Sequence, residues 1–243
     1  SSSVLAQARA RLPLWALNSL FKHTAALSDR TGHMPRWPHH RLLAIDGTPL
    51  ALPNNVALRE HFSTTRHQNG EAYFPQALAV WVSHIHTQTV IAEYLGTSRE
   101  GDESVAPRLL PTVLRPGDLL LGDGHFGHYP TLHAVEAARA FYLVRAPGPL
   151  HVEKHILTRA SPDDADVRLD LSAYIQRKHP ALKFPEHMVV RALNYTIPSR
   201  DALNGTEQAY FLTNLPRAPY SHQWLSTLPT LRWNHETLNN DIK

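Results

Sequence analysis

The sequence predicts an α/β domain: a mixed sheet flanked by helices, with a β-rich insertion before the last helix. Three observations carry this. Between residues 42 and 96, apolar runs of strand length are separated by turn-forming residues. Up to residue 145, short apolar runs then alternate with helical patterns, the order that packs helices onto a sheet. Residues 146–206 change character, with prolines at 147, 149, 162, 180, 185 and 198 and only short apolar runs such as Met188–Leu193, and they read as the insertion.

In chain order, Leu12, Trp15, Leu17, Leu20, Phe21 and Leu27 recur at mixed helical spacing, and Pro13 breaks the pattern, so residues 4–28 read as one or two short helices. Gly32, Pro35 and Pro38 mark Thr31–His40 as a linker, and the core begins at Arg41. The expected organisation is therefore a helical segment and linker over residues 1–40 and a domain over 41–243, with its insertion at about 146–206. Leu42–Leu52, Phe74–His84 and Thr89–Gly96 form a three-strand meander. Asp102–Leu114 is then helical, Asp118–Gly122 a short buried strand, Tyr129–Ala140 a helix and Phe141–Arg145 a strand. Strand resumes at Tyr210–Leu215. Pro229–Lys243 is helical, because proline is tolerated at a helix start, where its missing N–H costs nothing.

Composition removes several classes of function. With 243 residues, 42% of them hydrophobic, the chain can bury a core. Without cysteine it has no disulfide, thiolate metal ligand or cysteine nucleophile, which leaves oxygen and imidazole as ligands. No run approaches the roughly 18 apolar residues of a membrane helix, and the first residues lack the charged-then-apolar order of a signal peptide, so the expected compartment is the cytoplasm. A net charge of +3 permits a polyanionic partner without requiring one. The chain has no initiator methionine, and its final helical pattern ends without a glycine cap or proline stop, so it reads as part of a longer protein.

Three carboxylates carry the functional signal: Asp46 in Leu-Leu-Ala-Ile-Asp-Gly-Thr, Asp123 in Leu-Leu-Leu-Gly-Asp-Gly-His-Phe, and Glu236 in the last helix. Each Asp-Gly could equally be a turn dipeptide. The apolar runs leading into both aspartates instead place them at the ends of buried strands, where acidic groups need a cation or a hydrogen-bond network to offset their burial. On an α-helix, at about 100° per residue, Arg232, Glu236 and Lys243 fall within about 40° of one another, with Leu231, Leu238 and Ile242 on a separate apolar stripe. Three acidic groups at element edges beside two cations point to divalent-metal phosphoryl chemistry.

These residues resemble the DDE transposases of bacterial insertion sequences, in the insertion-sequence-four branch marked by a tyrosine, arginine, glutamate and lysine signature. The likeness runs over roughly residues 41–243: Ala-Ile-Asp-Gly-Thr at 44–48, Phe-Pro-Gln at 74–76, Pro-Gly-Asp-Leu-Leu-Leu-Gly-Asp-Gly-His-Phe at 116–126, and Arg232, Glu236 and Lys243 at the signature's spacing. Pro229 stands at the tyrosine position. The resemblance implies an RNase H-like core, with Asp46 on the first strand, Asp123 after the fourth and Glu236 on a late helix. It also implies that Asp46, Asp123 and Glu236 are catalytic and bind two Mg²⁺ or Mn²⁺ ions, and that Arg232 and Lys243 hold phosphates. The implied partners are transposon ends and target DNA, both double-stranded, bound by a homodimer in the bacterial cytoplasm at the nucleoid.

Two other classes compete. A transposase remnant that binds DNA without cleaving it would keep the fold. A histidine-zinc hydrolase would use some of the 17 histidines, with His84 and His86 expected on one strand face and His125 and His128 flanking Phe126.

Overall fold

The computed structural model describes residues 4, 7–8, 11–31, 37, 39–62, 64, 66–67, 70–97, 99–198 and 205–232. Helix α1 (Leu14–Thr31) begins directly after Pro13. Strand β1 (Leu42–Ala51) is followed by helix α2 (Val56–Phe62) and the two-residue strands β2 (Arg66–His67) and β3 (Gly70–Glu71), which pair with each other. Next come β4 (Gln76–His84), β5 (Thr89–Thr97), α3 (Asp102–Leu109), β6 (Leu119–Gly122), α4 (Tyr129–Ala137) and β7 (Phe141–Arg145). The rest comprises β8 (Ile156–Ser161), β9 (Asp164–Asp170), α5 (Ala173–Lys178), β10 (His187–Pro198), β11 (Thr206–Thr213) and the single turn α6 (His222–Leu225), with a further helical turn at 228–232.

Nine strands form one sheet in the order β5-β4-β1-β6-β7-β11-β10-β9-β8. The meander β1-β4-β5 is antiparallel, whereas β6 runs parallel to both β1 and β7. That half, β5-β4-β1-β6-β7 with α3 and α4 packed on it, is the RNase H-like arrangement. The strands between residues 146 and 206 do not form a sheet of their own. They continue the same sheet, because β11 pairs antiparallel with β7 on one side and β10 on the other.

β1 and β6 lie in the middle of the sheet and are covered on both faces, which is why their sequences read as continuous apolar runs. Leu42 to Ile45 and Leu119 to Gly122 are all buried. Side chains alternate between two cores. Leu43, Ile45 and Leu120 join Val105, Leu109, Leu132 and Val135 of α3 and α4 on one face. Leu42, Ala44, Leu119 and Leu121 join Trp37, Leu225 and Leu228 on the other.

The start of this central pair is clamped by Arg41. Its Nε and Nη2 donate to the two Asp118 carboxylate oxygens at 3.0 and 2.6 Å, and Nη2 also donates to the Val113 carbonyl at 2.9 Å. A bidentate guanidinium fixes direction as well as distance, and so holds the β1–β6 register.

Several boundaries differ from the sequence expectation. The helix expected over Asp102–Leu114 is α-helical only to Leu109 and tightens into a 3-10 turn at Leu110–Thr112, where Pro111 lacks the N–H that an α-helix needs. The helix expected to reach Ala140 stops at Ala137, because Arg139 takes a positive φ of 56° and turns the chain into β7. The linker is anchored at its end by Trp37 and His40, which are both buried.

Candidate active site

β1 and β6 pair with Leu42 beside Leu119, Leu43 beside Leu120 and Ala44 beside Leu121. Continued past the end of β6 at Gly122, that register leads towards Asp46 on β1 and Asp123 in the following loop. Leu42 and Ala44 of β1, and Leu119 and Leu121 of β6, belong to the core capped by Leu225 and Leu228. Asp46 follows Ala44 at the same parity within β1, and Asp123 is the residue directly after β6.

Local geometry holds each carboxylate. One oxygen of Asp46 accepts the Gly47 N–H, and one oxygen of Asp123 accepts the His125 N–H, both at 2.8 Å. The loop after β6 must be glycine-rich because it lies tightly against its neighbours. A Cβ at Gly122 would stand 3.2 Å from both Phe126 Cβ and Val144 Cγ1, and one at Gly127 only 2.4 Å from the Arg145 carbonyl oxygen. Phe126 is fully buried in the core on the side of α3 and α4.

On the face covered by α3 and α4, Lys178 of α5 donates to Glu103 of α3 at 2.7 Å. Burial pushes the His128 imidazole below its ordinary range, Glu103 and Asp123 oppose that, and His125 and Lys178 reinforce it, so His128 adds no full positive charge at neutral pH. On the other side of Asp46, its antiparallel partner on β4 is Trp81. The Trp81 indole N–H is buried and has no hydrogen-bond partner among the described residues. Sequence reasoning missed Trp81, since within β4 it reads as one more apolar residue.

The helical turn 228–232 lies over the same face, with Leu228 buried and Leu231 packed at the edge of that core. Arg232 is the last described residue of this turn, and Glu236 and Lys243 lie outside the described residues. Asp46 thus lies on β1 and Asp123 directly after its parallel neighbour β6. Among the described residues no three histidine or acidic side chains form a metal-holding group. The histidine pair expected on one strand face is corrected: His84 is buried on β4, but His86 is exposed in the turn that follows, where strand alternation has ended.

A family model described as "Transposase DDE domain" matches residues 37–243. The chain belongs to this DDE transposase family. A curated member, the transposase InsG for insertion sequence element IS4 of Escherichia coli strain K12, is 25% identical over 231 residues, covering 91% of this chain and 50% of that protein. The chain thus spans half the length of this relative. Among solved structures, a piggyBac transposase synaptic complex with hairpin DNA matches at 11% identity and a TM-score of 0.47, over 82% of this chain and 40% of that one. The match to the DDE family takes in all three acidic positions as well as Arg232 and Lys243.

Proposed function

We propose that this DDE domain cleaves phosphodiester bonds at transposon ends and joins the freed 3′-hydroxyl to target DNA, with residues 41–243 as the catalytic domain and about 146–206 as its insertion. The observation that carries this is the parallel pairing of β1 with β6, two neighbouring strands of which one carries Asp46 and the other leads directly into Asp123.

The donor set fits a hard divalent cation. Carboxylate oxygens on adjacent strands, with one oxygen of each oriented by a backbone N–H, are ligands of the kind Mg²⁺ and Mn²⁺ take, and no thiolate is present to favour a softer metal. Asp46, Asp123 and Glu236 would hold two such ions. Such ions would supply Lewis-acid polarisation of the phosphate and activation of the attacking oxygen near neutral pH.

The chain's own groups orient DNA. Arg232 binds phosphate with its planar fork and Lys243 as a point charge. In the first reaction a water oxygen bonds to phosphorus as the bond to the 3′ oxygen breaks, and that oxygen leaves protonated. In the second, the freed 3′-hydroxyl oxygen bonds to a target phosphorus as the bond from that phosphorus to the target's own 3′ oxygen breaks, and that oxygen leaves protonated. Paired transposon ends are held by a homodimer.

Asp123→Asn tests the proposal. It should abolish Mg²⁺-dependent cleavage of end-labelled DNA while gel-shift binding persists. Full cleavage by this variant overturns the role of Asp123. Unaltered DNA binding by a parent protein that shows neither Mn²⁺ binding nor cleavage would instead identify a non-catalytic DNA-binding domain.

A further inference from the structure

Residues 214–227 carry the chain from β11 to the helical turn that precedes Glu236. This stretch has little regular structure, yet it is tied down at successive points, chiefly by one side chain. Arg191 of β10 is 5% exposed. Its Nη2 donates to Asp164 Oδ2 at 2.6 Å, and its Nε stands 3.1 Å from each oxygen of the same carboxylate. Its remaining nitrogen, Nη1, turns to the connecting segment and donates to the carbonyls of Tyr220 at 2.7 Å and Leu215 at 3.5 Å.

The strands do not need this guanidinium. β9 and β10 are already joined by backbone pairing from His187 to Leu193, and an apolar side chain on that face would avoid the cost of burying a charge. What the guanidinium adds is a rigid fork that fixes two carbonyls five residues apart. Neighbouring contacts act in the same sense. The Tyr195 hydroxyl donates to the His222 carbonyl at 2.9 Å, His222 Nε2 reaches the Asn194 carbonyl at 2.9 Å, and the Tyr220 hydroxyl pairs with His40 Nε2 at 2.6 Å.

We propose that Arg191, locked by Asp164, is a positioning residue that sets the path of the chain into the turn at 228–232, from which it runs on to Glu236, and so governs whether the third carboxylate can share a metal ion with Asp46 and Asp123. The proposal rests on Glu236 being a metal ligand. It gives the insertion strands a direct hold on the assembly of the site.

Full-length Arg191→Lys keeps the charge but has a single nitrogen where the parent has three. It should raise the Mn²⁺ dissociation constant measured by calorimetry about tenfold or more, the usual effect of disturbing groups that orient metal ligands. It should raise the Mn²⁺ concentration for half-maximal cleavage in parallel, whereas Arg168→Gln, which removes an exposed β9 ion pair with Asp170 and touches no part of residues 214–227, should leave both within about twofold. Unchanged Mn²⁺ affinity and metal requirement in folded Arg191→Lys, with both lost in Glu236→Gln, overturns the positioning role alone. Unchanged Mn²⁺ affinity in Glu236→Gln overturns the metal-ligand role of Glu236 and this proposal with it. If Arg191→Lys does not fold, Asp164→Asn is judged by the same two measurements.

Discussion

Asp164 shows how one buried group can be tuned by its partners. Burial alone would raise its carboxyl, but the hydrogen bonds and charge of Arg191, together with Arg217, outweigh burial and hold it below the ordinary value of 3.8. A folded pKa below the unfolded one means that the stabilisation is complete above 3.8 and disappears as pH falls through the lowered value. Asp164→Asn should therefore be less stable than the parent at pH 7 by about 1–3 kcal/mol. The gap in urea midpoint should close as the pH is taken below that range, and a constant gap would show that the ion pair is not its source. At this scale the sequence was only partly informative. Asp46 and Asp123 stand out because apolar runs lead into them, whereas Arg191 and Trp81 owe their significance to partners on other strands, Asp164 and Asp46, at separations that no local pattern marks.

Among the elements, legibility followed burial. β1, β4 and β6 could be read directly from their apolar runs, and the meander followed from the turns between them. α2 buries no residue and β8 is exposed along nearly its whole length, so neither carries the periodicity from which an element is recognised. The helix expected over Pro229–Lys243 falls within the described residues only as far as Arg232. β6 is the most exacting element, since all four of its residues are buried and it also sets the position of Asp123. Leu120→Ala, at a fully buried site, should cost about 2–5 kcal/mol in urea unfolding. A loss below about 1 kcal/mol would mean that the core of α3 and α4 closes over the gap.

Across the whole molecule, the insertion and the RNase H-like half share both cores. β10 places Val190 and Ala192 in one and Leu193 and Tyr195 in the other, beside residues from β1 and β6. Strands joined in this way should open together. Amides of β10 and β11 are expected to exchange with deuterium at the same slow rate as those of β1 and β6, and an early, separate exchange of β8–β11 would show an independently unfolding unit.

A single continuous sheet has only two rims. On one, β5 has α1 packed against it. On the other, β8 is two-register and irregular against β9, with shifts between Ile156 and Thr158 and again between Arg159 and Ser161, and it carries the charged Arg159. Irregular, charged outer strands make poor templates for another chain's backbone. Copies of this protein are thus discouraged from growing edge to edge into a shared ribbon, and pairing between them is left to surfaces other than strand borders.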